Sequence, residues 1–245
     1  MGSKVTRLWF LGILISITII SCDEKEVKEQ PQKSINAEKK SAIEILVTPN
    51  FNADSAYVFI ERQVSFGPRV PNTEMHRACA KWLESKLKSY GLKTNVQNAQ
   101  VTAYNGQVLQ IFNITGQINP EAKERIMLSA HWDSRPYADR DTERRNKPID
   151  GANDGASGVG VLIEMARILT QDSNFKDFGI DIVFFDAEDY GKPKGSMIGR
   201  SNDSWCLGSQ YWSRNISIPN YAPKYGILLD MVGASNAVFP KEGIS

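Results

Sequence analysis

Sulfur and imidazole are scarce in this 245-residue chain, which has three cysteines and two histidines. Cys22, Cys79 and Cys206 lie far apart, and with no pair at short spacing a thiolate zinc site is excluded. Cys79 and Cys206 could pair in an exported protein, but nothing in their positions says that they meet. Net charge is scarce as well. Lys and Arg number 29 against 28 Asp and Glu, a balance of +1 that removes the electrostatic argument for nucleic acid or an acidic partner. No internal repeat occurs. The one long apolar run, LWFLGILISITII at 8–20, falls short of the roughly 20 residues that a stable membrane span requires. What remains is ordinary globular material, 41% hydrophobic and 23% charged, sufficient for one medium α/β domain or two small ones.

The apolar run follows Lys4 and Arg7 and ends in IISC, which resembles the cleavage motif of bacterial lipoproteins. Residues 1–21 are then a signal peptide and Cys22 the lipidated first residue of the mature chain. A plain secretory signal, with Cys22 incidental, is the alternative. DEKEVKEQPQKSINAEKK reads as a flexible tether over 22–40, and 41–245 as the folded part. The expected location is the bacterial cell envelope, lipid-anchored, periplasmic or outward-facing.

Periodicity places the elements of that folded part. NADSAYVFIERQV reads as a helix capped by Asn52 or Asp54, with turns at Gly67-Pro68 and Pro71-Asn72. TEMHRACAKWLESKLKSYGL is an amphipathic helix with Ala80, Leu83, Leu87 and Tyr90 on one face and Gly91 as its stop. His76 falls on its polar side and reads as surface. KTNVQNAQVTAY and QVLQIFNITGQI flank Asn105-Gly106 as a hairpin. ERIMLSAH and GIDIVFFD are buried strands with the helix GASGVGVLIEMARIL between them, a unit that implies parallel neighbours; YGILLDMV is a third such strand. The fold class is α/β, a mixed, largely parallel sheet flanked by helices.

His131, the pair Glu188 and Asp189, and Asp230 all stand at or just past the carboxyl ends of apolar strands, with Asp154 just before a helix. Ligands of open α/β sheets gather along that edge. A glycine-rich loop before a helix can cradle phosphate, but Asp150 and Asp154 would repel one, so a cation fits better. Adjacent Glu188 and Asp189 at the end of a buried strand repel each other unless a cation or shared proton relieves them, an arrangement that supplies a metal ligand beside a proton carrier. The bland alternatives are a solvated turn at FFDAEDYG and a helix-capping role for Asp154. Asp133, Asp139 and Asp141 read as loop solvation or arginine pairing, and the basic run RDTERR as a solvated stretch of the loop 134–149.

SAHWDSRP, DGANDGASGVGVLIEMARIL, IVFFDAEDYG and LLDMVGAS together resemble the zinc aminopeptidase superfamily, and FGPRVP, WCLGSQYW and NAVFP bring the resemblance closer to its glutaminyl-peptide cyclotransferase branch. The resemblance implies a zinc-aminopeptidase-like fold in which Asp154 and Asp189 bind zinc and Glu188 is the general base and acid. It implies that Asp230 helps to position the reacting amine. A cyclase would use one zinc to close an amino-terminal Gln of a peptide or protein into pyroglutamate, with loss of ammonia. An aminopeptidase would use two, with His131 and Asp230 on the second, Asp154 bridging, and Glu188 activating the attacking water. A third possibility is a non-catalytic lipoprotein that keeps the fold as a binding module. Relatives place an aromatic soon after the acidic pair where this chain has YGKPKG, so Trp205, Tyr211 or Trp212 become candidates for the pocket wall. Both branches also use a final His ligand after the LLD strand, and no His follows His131, so the expectation is a chain truncated at its carboxyl end.

Overall fold

The computed structural model describes residues 48–172, 178–197 and 204–239. The expected signal peptide at 1–21, Cys22 and the expected tether at 22–40 lie outside the described residues. Helix α1 (Ala53–Val64) opens the described fold, with Asn52 as its cap accepting a hydrogen bond from the Ser55 N–H at 2.9 Å. The second helix, α2 (Glu74–Ser89), starts at Thr73, whose hydroxyl accepts from the His76 N–H. Gly91, at φ +83°, ends it in the left-handed conformation that glycine adopts without strain.

Five strands form one mixed sheet in the order β1-β2-β4-β3-β5, where β1 is Lys93–Thr102, β2 Val108–Ile118, β3 Arg125–His131, β4 Gly179–Phe185 and β5 Gly226–Leu228. The pairs β1/β2 and β2/β4 are antiparallel, whereas β3 runs parallel to both β4 and β5. Helix α3 (Ala156–Gln171) joins β3 to β4, and the chain then returns to the other side of β3 through α4 (Leu207–Arg214) to β5. The connection out of β3 thus leads to one side and the connection out of β4 to the other, and the crevice at the carboxyl end of β3 is the switch point where ligands of such sheets bind.

Register fixes what meets there. His131, the last residue of β3, is abreast of Phe185, so the acidic turn after β4 begins beside it. At the opposite end Arg125 donates to both oxygens of Asp181, at 2.8 and 2.6 Å, a buried bidentate pair joining the starts of β3 and β4. Strand β4 is buried along its whole length, and Ile180, Ile182 and Phe184 share one core with Leu83 and Leu87 of α2 and Leu162 and Ile163 of α3. β5 is an exposed edge strand. No helix among the described residues is long and apolar enough to cross a membrane.

Candidate metal centre and its acidic turn

The site is assembled by a backbone that must turn sharply after β4. Ala187 adopts φ +48°, and the carbonyls of Asp186, Ala187 and Glu188 accept the N–H groups of Gly208, Leu207 and Cys206 at 3.0, 3.0 and 2.9 Å. The first amides of α4 are thereby satisfied by the acidic turn rather than by a side-chain cap. That approach requires glycine at 208, because a Cβ there would stand 2.0 Å from the Asp186 oxygen. Asn113 ties the two segments together, accepting from the Asp186 N–H and donating to the Gly208 carbonyl.

Asp133 holds the same turn from the other side. It is wholly buried and accepts the N–H of Glu188 at 3.0 Å and of Asp189 at 3.1 Å, while His131 Nδ1 lies 3.3 Å from it. Solvation or arginine pairing, expected for Asp133, is therefore wrong. It instead receives two backbone amides from the acidic turn after β4. The expectation holds for Asp139, which pairs with Arg135, while Asp141 accepts the N–H groups of Glu143 and Arg144.

His76 also departs from expectation. It is fully buried, stacked on Trp132 with ring centroids 4.5 Å apart, and its Nε2 meets both oxygens of Asp186 at 2.9 and 2.8 Å. The first turn of α2 faces the end of β4, so a polar residue is buried where a carboxylate receives it. Asp186 additionally accepts the N–H groups of Phe112 and Ala187, and is a structural acid rather than a solvated one.

These supports aim five carboxylates, Asp133, Asp154, Glu188, Asp189 and Asp230, around one imidazole. His131 Nε2 lies 3.0 Å from Asp154 and 3.6 Å from Asp230. Gly155, at φ +92°, allows the loop past the ring, since a Cβ there would stand 2.6 Å from the Asp133 carbonyl oxygen. Gly155 rather than Asp154 occupies the cap position of α3. Asp230 is half exposed, and its loop is tied to α3 by the Val232 N–H on Ser157 Oγ and to the loop before α3 by the Gly233 N–H on Asn153.

The electrostatics of the group follow from burial and crowding. Burial, then the charges of Asp133, Asp154 and Glu188, push the Asp189 carboxyl up to about 8. Burial raises Glu188 too, with Asp133 adding to it. Burial opposes the charge on His131, but Asp133, Asp154 and Asp230 together outweigh it and hold the ring well above its ordinary range. The hydrogen bond from that ring holds Asp154 below its ordinary value.

A cation fits this arrangement. Ligand atoms of His131, Asp154 and Asp189 lie within 4.8 Å of one another, and the buried Asp189 Oδ2 has no hydrogen-bond partner. One imidazole and two carboxylates without thiolate are a donor set suited to a catalytic zinc. Glu188 stands beside the set, its Oε1 accepting from the Cys206 thiol at 3.3 Å. Cys206 and Cys79 are both free thiols.

Asp154 and Asp189 open onto a cavity of about 720 Å³. Trp205, 37% exposed, lines it, with the Arg135 guanidinium 4.6 Å from its ring centre. Tyr211 and Trp212 do not line it. Tyr211 packs against the core of Leu109, Ile111 and Tyr190, and Trp212 sits edge-on to Phe185 and Tyr221 beside a separate cavity. Arg69, within FGPRVP, has a part the sequence reading missed. It is buried and its guanidinium donates to the carbonyls of Trp132, Asp150 and Gly151, pinning both loops that carry the site. An arginine preceded by Gly-Pro in a helix-to-helix turn was the only hint.

The model of peptidase family M28 matches residues 113–242, more than half of the chain. The chain belongs to peptidase family M28. Its fold is shared with glutaminyl cyclases of known structure. The glutaminyl cyclase of Tannerella forsythia is 56% identical, with a TM-score of 0.73 over 78% of this chain and 65% of that one. The Bacteroides thetaiotaomicron enzyme, solved with N-acetylhistamine bound, is 52% identical with a TM-score of 0.77, covering 80% and 68% of the two chains. Among curated proteins, the glutaminyl-peptide cyclotransferase of Bothrops jararaca is 27% identical over 149 residues, which are 52% of this chain and 38% of that protein. The chain thus spans well under half the length of the curated relatives it matches.

Proposed function

We propose that this M28 chain belongs to a zinc-dependent acyltransferase that cyclises the amino-terminal Gln of peptides and proteins to pyroglutamate, releasing ammonia. The observation that carries the reading is the division between the two adjacent carboxylates. Asp189 joins His131 and Asp154 in a cation-sized cluster, while Glu188 lies outside that cluster, accepts from the Cys206 thiol and keeps a raised carboxyl, as a group that accepts and returns a proton requires. Similarity to glutaminyl cyclases at more than half identity supports the same choice.

In this reading Asp154 and Asp189 hold the zinc, which polarises the side-chain amide carbonyl of the substrate when bound. The α-amine nitrogen bonds to the amide carbon and the carbon–nitrogen bond to the side-chain NH2 breaks. Glu188 takes the proton from the amine and gives it to the leaving nitrogen, which departs as ammonia. Asp230, half exposed at the rim of the site, orients the amine, and Trp205 borders the side chain. No water is consumed. The protein works in the bacterial envelope, anchored through lipid on Cys22, on peptide substrates.

A di-zinc aminopeptidase is the second reading, favoured by His131 lying near both Asp154 and Asp230, the set a second metal would need. Zinc content after equilibrium dialysis, paired with product analysis, separates the two. One zinc per chain with ammonia release is the cyclase result; two zincs with release of free amino acids transfers the assignment to the peptidase.

A further inference from the structure

The cavity that opens from Asp154 and Asp189 has a wall of opposite sign. Arg140 and Lys194 both line it, and both are exposed. Neither forms an ion pair among the described residues. The nearby acids are already engaged. Asp139 accepts two bonds from Arg135 and a third from the Lys194 backbone N–H, which holds the segment after the acidic turn against the loop 134–149. Asp141 accepts the N–H groups of Glu143 and Arg144, and the Arg144 guanidinium lies 3.8 Å from it. Arg135 is occupied in turn, by Asp139, the Asp189 carbonyl and the Trp205 ring.

The loop that presents Arg140 is itself braced. Ala138 donates to the Lys147 carbonyl, Asp141 to Ala138 and Ile149 to Arg135, so the guanidinium is carried on a hydrogen-bonded turn. At about 720 Å³ the cavity lies in the upper part of the ~300–1,000 Å³ range of ligand pockets, with room beyond one glutaminyl residue. A substrate whose amino terminus reached the acidic end would have room for its following residues beside this wall.

Resting on the cyclase reading, we propose that Arg140 and Lys194 form a subsite for an acidic side chain in the residue or two after the terminal Gln, so that the preferred substrates are peptides of the type Gln-Glu or Gln-Asp. The net charge of +1 conceals this local field, because the acids that balance these two cations are spent within the loop.

The test compares ammonia release from Gln-Glu-Ala-Ala, Gln-Ala-Ala-Ala and Gln-Lys-Ala-Ala by the zinc-loaded full-length protein. Two partly exposed ion pairs support a preference of about three- to tenfold in kcat/KM for the Glu peptide over the Ala peptide. It should lie in KM, because the contact is equal in the ground and transition states. At about 1 M salt, where the screening length falls to ~3 Å, the preference should shrink towards unity. The double variant Arg140→Glu with Lys194→Glu should rank the Lys peptide above the Glu peptide. Equal kcat/KM for the three peptides, or a ranking unmoved by the double variant, overturns the subsite while leaving the cyclase intact. Absence of ammonia from every peptide with zinc verified as bound overturns the cyclase reading, and the subsite with it.

Discussion

Asp133→Asn replaces one oxygen of a buried acceptor by a donor and leaves shape nearly unchanged. In the native protein Asp133 accepts two backbone N–H groups of the acidic turn, with His131 Nδ1 as a third neighbour. Hydrogen bonds to a charged acceptor are worth ~1.5–3 kcal/mol each, and a buried donor left without a partner costs about 1–3 kcal/mol. The amide oxygen of Asn keeps one backbone bond, and its NH2 faces the other N–H. One charge-assisted bond is lost and its donor is stranded, so the expected loss is about 2–4 kcal/mol, or roughly 5–15 °C in Tm for a domain of this size. Urea unfolding of the metal-free protein, with the slope compared between variant and parent, measures it. The variant should also lower the Glu188 and Asp189 carboxyls, since the charge of Asp133 raises both. A midpoint equivalent to less than about 0.5 kcal/mol of change would refute the claim that this carboxylate holds the turn.

Zinc affinity should depend on pH through Asp189. With its carboxyl at about 8, the metal-free protein carries a proton there at neutral pH that a cation must displace. Affinity should fall roughly fiftyfold from pH 8 to pH 6, more if the proton on His131 must also leave; competition with a chromophoric chelator reads it, and a flat profile contradicts it. In the metal-free protein the sign for stability is the opposite. A raised carboxyl binds a proton more tightly in the fold than in the unfolded chain, so its contribution is present at low pH and is lost as pH rises through about 8. Gly208→Ala puts a Cβ 2.0 Å from the Asp186 oxygen and 2.6 Å from Asn113 Oδ1, and should cost about 1–3 kcal/mol together with activity. Unchanged stability in urea would mean that α4 is not seated on the acidic turn. Burial pushes the thiols of Cys79 and Cys206 up to about 12. In a Cys22→Ser background both should alkylate about a thousandfold more slowly than an ordinary thiol at pH 8, and readily in urea. Rapid native labelling of Cys206 would contradict its seat against Glu188.

The frame of this protein is legible from local pattern. Short apolar runs ending in His131, Asp186 and Asp230 announce strands, the apolar helix between the first two makes neighbours of β3 and β4, and the strand ends gather the acids along one edge. The hairpin at Gly106, with φ +84°, and the cap at Asn52 are equally local. What periodicity reports is average exposure of a face, and it carries no information on which distant polar group will meet a buried one. His76 and Asp186 are 110 residues apart, and Asp133 receives its amides from residues 188 and 189. Each looks solvated alone and becomes buried only when its partner is present. The aromatics fail for the same reason. Trp205, Tyr211 and Trp212 are close in sequence, yet the turn into α4 sends only the first to the cavity.

The central claim, cyclisation driven by Glu188 beside a cation held by Asp154 and Asp189, is tested most directly by mass spectrometry of a Gln-initiated peptide after incubation with the zinc-loaded full-length protein. The account predicts a product lighter by one ammonia, formed by the parent and abolished by Glu188→Gln with zinc binding retained. Loss of the entire amino-terminal residue, or an unchanged peptide with zinc verified as bound, would contradict it.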